Sequence, residues 1–150
     1  MLAAMDEPQP RIRPGGAADA AAMAALCTEL GYPSSEAQIR ERLLRLEDVE
    51  YGLFVAEGAG GELAGVIAVH TRLLLEDDPF AELTVLVVTQ DARGTGIGSA
   101  LVAEAARWAR TRGLTRVWVR VNVVREATHR FYEILGFHLY KQQRIYELTL

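Results

Sequence analysis

Arg93-Gly94-Thr95-Gly96-Ile97-Gly98 is the stretch on which the fold turns. The apolar run 83–88 precedes it, and a helical pattern follows to about residue 112. A strand, a glycine turn and a helix start make a seat for a polyphosphate. The first amides of a helix lack intrahelical partners and carry the positive end of the macrodipole. Glycines at 94, 96 and 98 remove the Cβ atoms that would hold an anion away from those amides. The spacing is not that of a dinucleotide fingerprint, and no acidic residue ends the next strand. No lysine follows, as a Walker loop would require. A turn that bound nothing would fit three glycines poorly, because each costs folding entropy.

Downstream, Ile97, Ala100, Leu101, Ala105, Trp108 and Ala109 recur at helical spacing, Gly113 stops the helix, and 115–121 reads as the next strand. With 81–89 as the preceding strand this is a βαβ unit, so its two strands are expected to be parallel. Upstream lie a short strand at 11–13 and a helix capped by Asp19 that runs to Leu30 and stops at Gly31-Tyr32-Pro33. Ser34 or Ser35 caps a second helix with Ile39, Leu43, Leu44 and Leu46 as its apolar positions. Strands 53–57 and 63–69 form a hairpin around the 58–61 turn, and 72–79 is a polar loop. Beyond the βαβ unit, 126–135 reads as a helix closed by Gly136, and 137–141 with 144–149 as a final antiparallel pair. The expected whole is one α/β domain over 11–150, behind a loose tail at 1–10. Its mixed sheet has six or seven strands with helices on both faces.

At 150 residues, half of them hydrophobic, the chain suits a globular domain with a real core. No apolar run approaches the length of a membrane span, and the start lacks the basic and apolar regions of a secretory signal. The single cysteine, Cys27, cannot form an internal disulfide and lies on a helical apolar stripe. A cytoplasmic protein is expected. The net charge of −4, with Lys141 the only lysine, argues against nucleic acid as a partner. It is compatible with a cationic amine. His70, His129 and His138 show no metal-ligand spacing, so no metal is expected.

The chain resembles the GCN5-related N-acetyltransferases. Arg93 to Gly98 matches the family's [QR]-x-x-G-x-[GA] acyl-CoA loop, and Phe131-Tyr132-Glu133-Ile134-Leu135-Gly136-Phe137 is similar to its F-Y-x-x-x-G-F segment. The likeness is strong over 82–137 and thinner before Ile67. It implies a mostly antiparallel sheet whose central parallel pair is splayed by acyl-CoA. It implies acetyl transfer from acetyl-CoA, as cosubstrate, to an amine. The pantetheine arm would pair with the backbone of Leu86, Val87 and Val88, a β-augmentation by a small molecule. The diphosphate would sit on the amides of Gly94, Thr95, Gly96, Ile97, Gly98 and Ser99, with Arg93 contacting it or bracing the turn. One departure stands out. Where many members carry N-x-x-A before F-Y, this chain has Arg125 and Thr128, with Asn122 three residues earlier. Arg125 either takes over the asparagine's cofactor contact or pairs with Glu126 or Glu133.

The chemistry needs a base and an acid. An alkyl amine with a pKa of about 10.4 costs about 4.6 kcal/mol to deprotonate at pH 7. The departing thiolate gains from a proton donor. Tyr132 is the candidate acid: with Ala127, Phe131, Ile134 and Leu135 read as the core stripe, Tyr132 falls on the other side with Arg125 and His129. The resemblance places this tyrosine near the CoA sulfur. Glu82, near the start of the central strand, is the candidate base, and by alternation shares a face with Thr84, Leu86 and Val88 unless a bulge intervenes. A solvent-facing strand end is the plainer reading of Glu82. His129, or a chain of waters, is a further option for the base. Glu76, Asp77 and Asp78 form a rival acidic set in the polar loop, and His70 lies where it could line an amine pocket.

The expected activity is direct transfer in a ternary complex, with a small-molecule amine as acceptor and no acyl-enzyme on Cys27. Acetylation of a protein N-terminus or lysine is the alternative acceptor. A non-catalytic acyl-CoA sensor is the alternative of another class. The final strands offer a surface for a homodimer.

Overall fold

The computed structural model describes residues 9–150, so the expected tail at 1–10 lies outside the described residues except for Gln9 and Pro10. The chain divides into two compact units, Met1–Arg120 and Val121–Leu150. The first holds a five-stranded sheet in the order β1-β2-β3-β4-β5, with β1 Arg11–Pro14, β2 Tyr51–Glu57, β3 Leu63–Arg72, β4 Phe80–Val88 and β5 Val117–Val119. Neighbours are antiparallel except β4 and β5, which are parallel as the βαβ reading requires. Helices α1 (Ala20–Leu30), α2 (Glu36–Leu46) and α3 (Ile97–Thr111) complete it. Among the described residues no helix is long and apolar enough to cross a membrane.

Alternation along the strands sends side chains to two faces. On one, Val55, Val66 and Val87 meet Ala20, Met23, Ala24 and Leu26 of α1 and Ile39 of α2. Ser35 starts α2 with a reciprocal cap, accepting from the Gln38 amide at 3.2 Å while its own amide donates to Gln38 Oε1 at 2.9 Å. Asp19 precedes α1 but caps it with no side-chain bond. Its carboxylate instead takes both terminal nitrogens of Arg13, at 2.8 and 3.0 Å, and the Gly16 amide. The Arg13 bonds hold Asp19 below the usual carboxylate range.

The other face carries α3, whose buried stripe is Ile97, Leu101, Val102, Ala105, Trp108 and Ala109. Gly65 of β3 admits it: a Cβ there would lie 3.0 Å from Leu101 Cδ1 and 3.1 Å from the Val87 carbonyl oxygen. The absence of that atom fixes how closely the first turns of α3 approach the sheet. Complete burial of a leucine such as Leu101 contributes about 1.5–3 kcal/mol.

The second unit contains α4, Glu126–Ile134, closed by Gly136 at φ +96°. The expected pair at 137–141 and 144–149 is a correction. Neither segment is a strand, and the described sheet stops at five rather than six or seven. Apolar residues there, including Leu139, Ile145, Tyr146 and Leu148, are exposed. A strand exists only through its ladder, and an apolar alternation does not supply the partner.

Candidate functional site

The turn before α3 is built by backbone conformation. Gly94 and Gly96 have φ of +77° and +86°, the left-handed region that L side chains rarely adopt. A Cβ on either would meet nothing within 4 Å, so the glycines serve the turn and not internal packing. Gly96 is the N-cap of α3, and the first intrahelical bond runs from the Ala100 amide to its carbonyl at 3.0 Å. The amides of Ile97, Gly98 and Ser99 precede that bond and have no acceptor within the helix. The space over the turn is open and the surface is exposed. That combination fits a diphosphate. Thr95 Oγ1 donates to the Ala92 carbonyl and Arg93 Nε to the Val88 carbonyl at 3.3 Å. Arg93 therefore braces the turn onto the end of β4.

β4 supplies an open backbone edge beside the turn. Its parallel pairing with β5 covers only Ala81, Glu82 and Leu83, against Val117, Trp118 and Val119. Leu86, Val87 and Val88 are held from the other side by Ile67, Val66 and Gly65 of β3. Their strand continues past the end of β5, which is the geometry an extended amide-bearing arm needs for added pairing.

A bulge decides the surroundings of Glu82. Ala68 faces Val85 and Val69 faces Leu83, so Thr84 is an extra residue in β4. The bulge moves Glu82 off the face of Leu86 and Val88 and onto that of Val85 and Val87. There it stands in a row across the sheet: Tyr51 opposite His70, His70 opposite Glu82, Glu82 opposite Trp118. Tyr51 stacks on His70 with ring centroids 5.8 Å apart, and Trp118 on Phe80 at 4.1 Å. Burial, reinforced by Arg72 and opposed by Glu82, lowers the pKa of His70.

Glu82 is not a solvent-facing strand end; its side chain is only 7% exposed. Arg72 Nε lies 3.0 Å from its Oε2, and Arg120 Nε donates to its Oε1. Neither arginine stood out in the sequence. Arg72 lies two residues after His70, on the same face of β3, and that spacing was the available signal; nothing local to Arg120 announces it. The rival acidic set is partly spoken for, because Asp77 takes both terminal nitrogens of Arg116 at 3.0 and 3.2 Å.

In the second unit, Tyr132 is the buried residue of α4, while Ala127 and Ile134 are exposed. The expected core stripe is only partly covered, with Phe131 and Leu135 half-buried, and Tyr132 from the other side is buried deeper than any of it. Helical periodicity separates two faces but does not say which one is covered. Phe131 and Phe137 meet the Tyr132 ring edge-on at 5.1 and 5.2 Å. Burial pushes the Tyr132 phenol up to about 12, so it keeps its proton at neutral pH. His129 Nε2 lies 2.9 Å from the Asn122 carbonyl, a partner that requires the ring nitrogen to donate. That bond commits one nitrogen of the alternative base. The backbone of Arg125 starts α4, its carbonyl accepting from the amides of Thr128 and His129 at 3.1 Å.

Comparison with known proteins adds an independent line. Residues 20–137 match the sequence profile of the Acetyltransferase (GNAT) family. The chain is 38% identical over 96 residues to the streptothricin acetyltransferase of Streptomyces lavendulae, covering 61% of this chain and 47% of that protein. It is 31% identical over 132 residues to an aminoglycoside N(6')-acetyltransferase type 1 of Stenotrophomonas maltophilia, covering 85% and 86%. It spans half or less of several relatives, including 30% of the mycothiol acetyltransferase of Thermobispora bispora, to which it is 40% identical over 57% of its own length. The crystal structure of an aminoglycoside antibiotic 6'-N-acetyltransferase from Acinetobacter baumannii superposes with a TM-score of 0.82 at 17% identity, over 95% of this chain and 99% of that one. At that identity the likeness speaks for the fold.

Proposed function

The chain belongs to the Acetyltransferase (GNAT) family, and from that premise we propose that it transfers an acetyl group from acetyl-CoA to a primary amine on a small molecule. The observation that carries the reading is the left-handed glycine turn at 94 and 96, which leaves three helix-start amides without an intrahelical acceptor beside the stretch of β4 that, among the described residues, β5 does not pair. A diphosphate held there and a pantetheine arm laid along Leu86 to Val88 would lead the thioester back toward Glu82. The small-molecule acceptor is supported by relatives named for streptothricin and aminoglycoside acetylation.

In this reading Glu82, directly or through water, takes a proton from the acceptor ammonium. The neutral nitrogen attacks the thioester carbonyl, the C–N bond forms and the C–S bond breaks. Tyr132 delivers its proton to the departing thiolate, and the amide nitrogen loses its second proton to solvent. Burial keeps the Tyr132 phenol protonated at neutral pH, so it has a proton to give, while the same shift makes it a weaker acid. The test is direct. Acetyl-CoA should raise the melting temperature by mass action, and an amine panel should release free thiol. A melting temperature indifferent to acetyl-CoA overturns the reading at its first step.

A further inference from the structure

We propose that His70 is a second contact for the acceptor amine: one ring nitrogen accepts an N–H of the substrate ammonium while Glu82, across the strand pair, takes the proton that leaves. Acceptor binding then requires the neutral imidazole, and protonation of His70 weakens it. This inference rests on the acetyl-transfer reading and adds a residue to its site.

Three observations converge. The first is register. His70 of β3 stands directly opposite Glu82 of β4. Side chains so paired share one face, with Cβ atoms about 4.5–5.5 Å apart. A nitrogen at hydrogen-bonding distance from one is therefore within reach of the other. The second is the contacts already made. Each Glu82 oxygen meets an arginine Nε, Arg72 at Oε2 and Arg120 at Oε1. Among the described residues neither ring nitrogen of His70 has a hydrogen-bond partner, and the residue is only half-buried. A neutral imidazole has one nitrogen that donates and one that accepts, so an uncommitted lone pair stands beside the base. Tyr51, stacked at 5.8 Å with the planes 27° apart, sets the tilt of the ring. The third is protonation. The groups that face His70 are Tyr51 from β2, Arg72 from its own strand and Glu82 from β4, with Arg120 on the far side of Glu82. Burial lowers the His70 pKa, Glu82 opposes the shift and Arg72 adds to it. The ring is therefore neutral at pH 7 and keeps its lone pair. An imidazolium has two donors and no lone pair, and it repels an ammonium. A primary ammonium carries three N–H groups. One proton passes to Glu82, and the N–H held by His70 stays on nitrogen through the attack. Glu82 thus acts on kcat and His70 on the KM of the acceptor.

The experiment measures kcat and KM for n-butylamine and for the fastest alkylamine of the panel between pH 5 and 8, with acetyl-CoA saturating and thiol release as the readout. An alkylammonium with a pKa of about 10.4 does not titrate in that range, so a change in KM belongs to the enzyme. In the wild type the KM should rise toward about tenfold per pH unit on the acid side of the His70 pKa, which lies below the ordinary histidine value of about 6.5. His70→Leu should raise the KM about tenfold or more at pH 8, the cost of a lost bond to a charged group, and should lack the acid limb. His70→Gln has a carbonyl that accepts without titrating. It should recover part of that loss and also lack the limb. A wild-type KM flat with pH, a limb that persists in His70→Gln, or a wild-type KM in His70→Leu overturns the inference. If acetyl-CoA shifts the melting temperature but no amine is acetylated, it is the acetyl-transfer reading that fails. His70 is then read by NMR titration of its ring in the CoA complex, with and without n-butylamine. A ligand that binds the neutral ring must lower its apparent pKa, and a titration indifferent to the amine removes the contact as well. Melting curves of each variant report whether the fold is kept.

Discussion

The glycine turn at 93–98 and the cluster around Glu82 belong to the same strand-helix passage and work by opposite means. The turn offers main-chain amides, placed by two left-handed glycines within a few residues of one another. The cluster offers side chains drawn from β2, β3, β4 and the residue after β5, gathered by strand register and one bulge. A site made of backbone tolerates many side chains but few backbone changes. A site made of side chains tolerates neither a changed head group nor a slipped register, because a one-residue slip sends every side chain to the other face.

The largest effect expected is on chemistry at the cluster. Glu82→Gln should lower kcat by about 10²–10⁴-fold, the range for loss of a positioned base, while the melting-temperature shift with acetyl-CoA persists. A kcat close to wild type would take the base assignment away from Glu82. Tyr132→Phe should come next, slowing turnover by about 10²-fold as a general acid would, with CoA affinity nearly intact. Turnover indifferent to that change would leave Tyr132 as packing between Phe131 and Phe137.

Substitutions in the turn should show the reverse pattern. Gly96→Ala forces an L side chain into φ +86°, at a cost of about 1–2 kcal/mol. If that cost is met by distorting the turn, it appears as a Kd for CoA about tenfold weaker in calorimetry. A variant that binds CoA normally and loses only kcat would erase the distinction between the two regions. The smallest effect lies away from both. Arg13 holds the Asp19 pKa below its ordinary value. The stability this contributes is complete above the unfolded-state pKa of about 3.9 and disappears as pH falls through the folded value. Acid titration of unfolding should therefore show a loss below about pH 4 that Asp19→Asn lacks, with no matching change in turnover at neutral pH.

Much of the first unit was readable from local pattern. The cap at Ser35, the 53–57 and 63–69 hairpin, the apolar stripe of α3 and the parallel β4–β5 pair follow from spacing and turn chemistry within short windows. The turn at 93–98 was readable for the same reason, since positive φ at two close positions selects glycine. Three features escaped. The burial of Tyr132 depends on which face of α4 is covered, and periodicity is silent on that. The final strands needed a ladder partner that their own alternation does not provide. Arg72 and Arg120 lie 10 residues before and 38 residues after Glu82 in the chain and meet it only through the sheet.

The sequence by itself determined the family, the fold class and the left-handed glycine turn before α3, because each is encoded in residues close enough in the chain to constrain one another directly. Tertiary structure alone decided which groups surround Glu82. The Thr84 bulge chooses the face, the β3–β4 register brings Arg72 and His70 to it, and the parallel crossover delivers Arg120. Those are long-range pairings, and their chemistry exists only once distant strands have been set side by side.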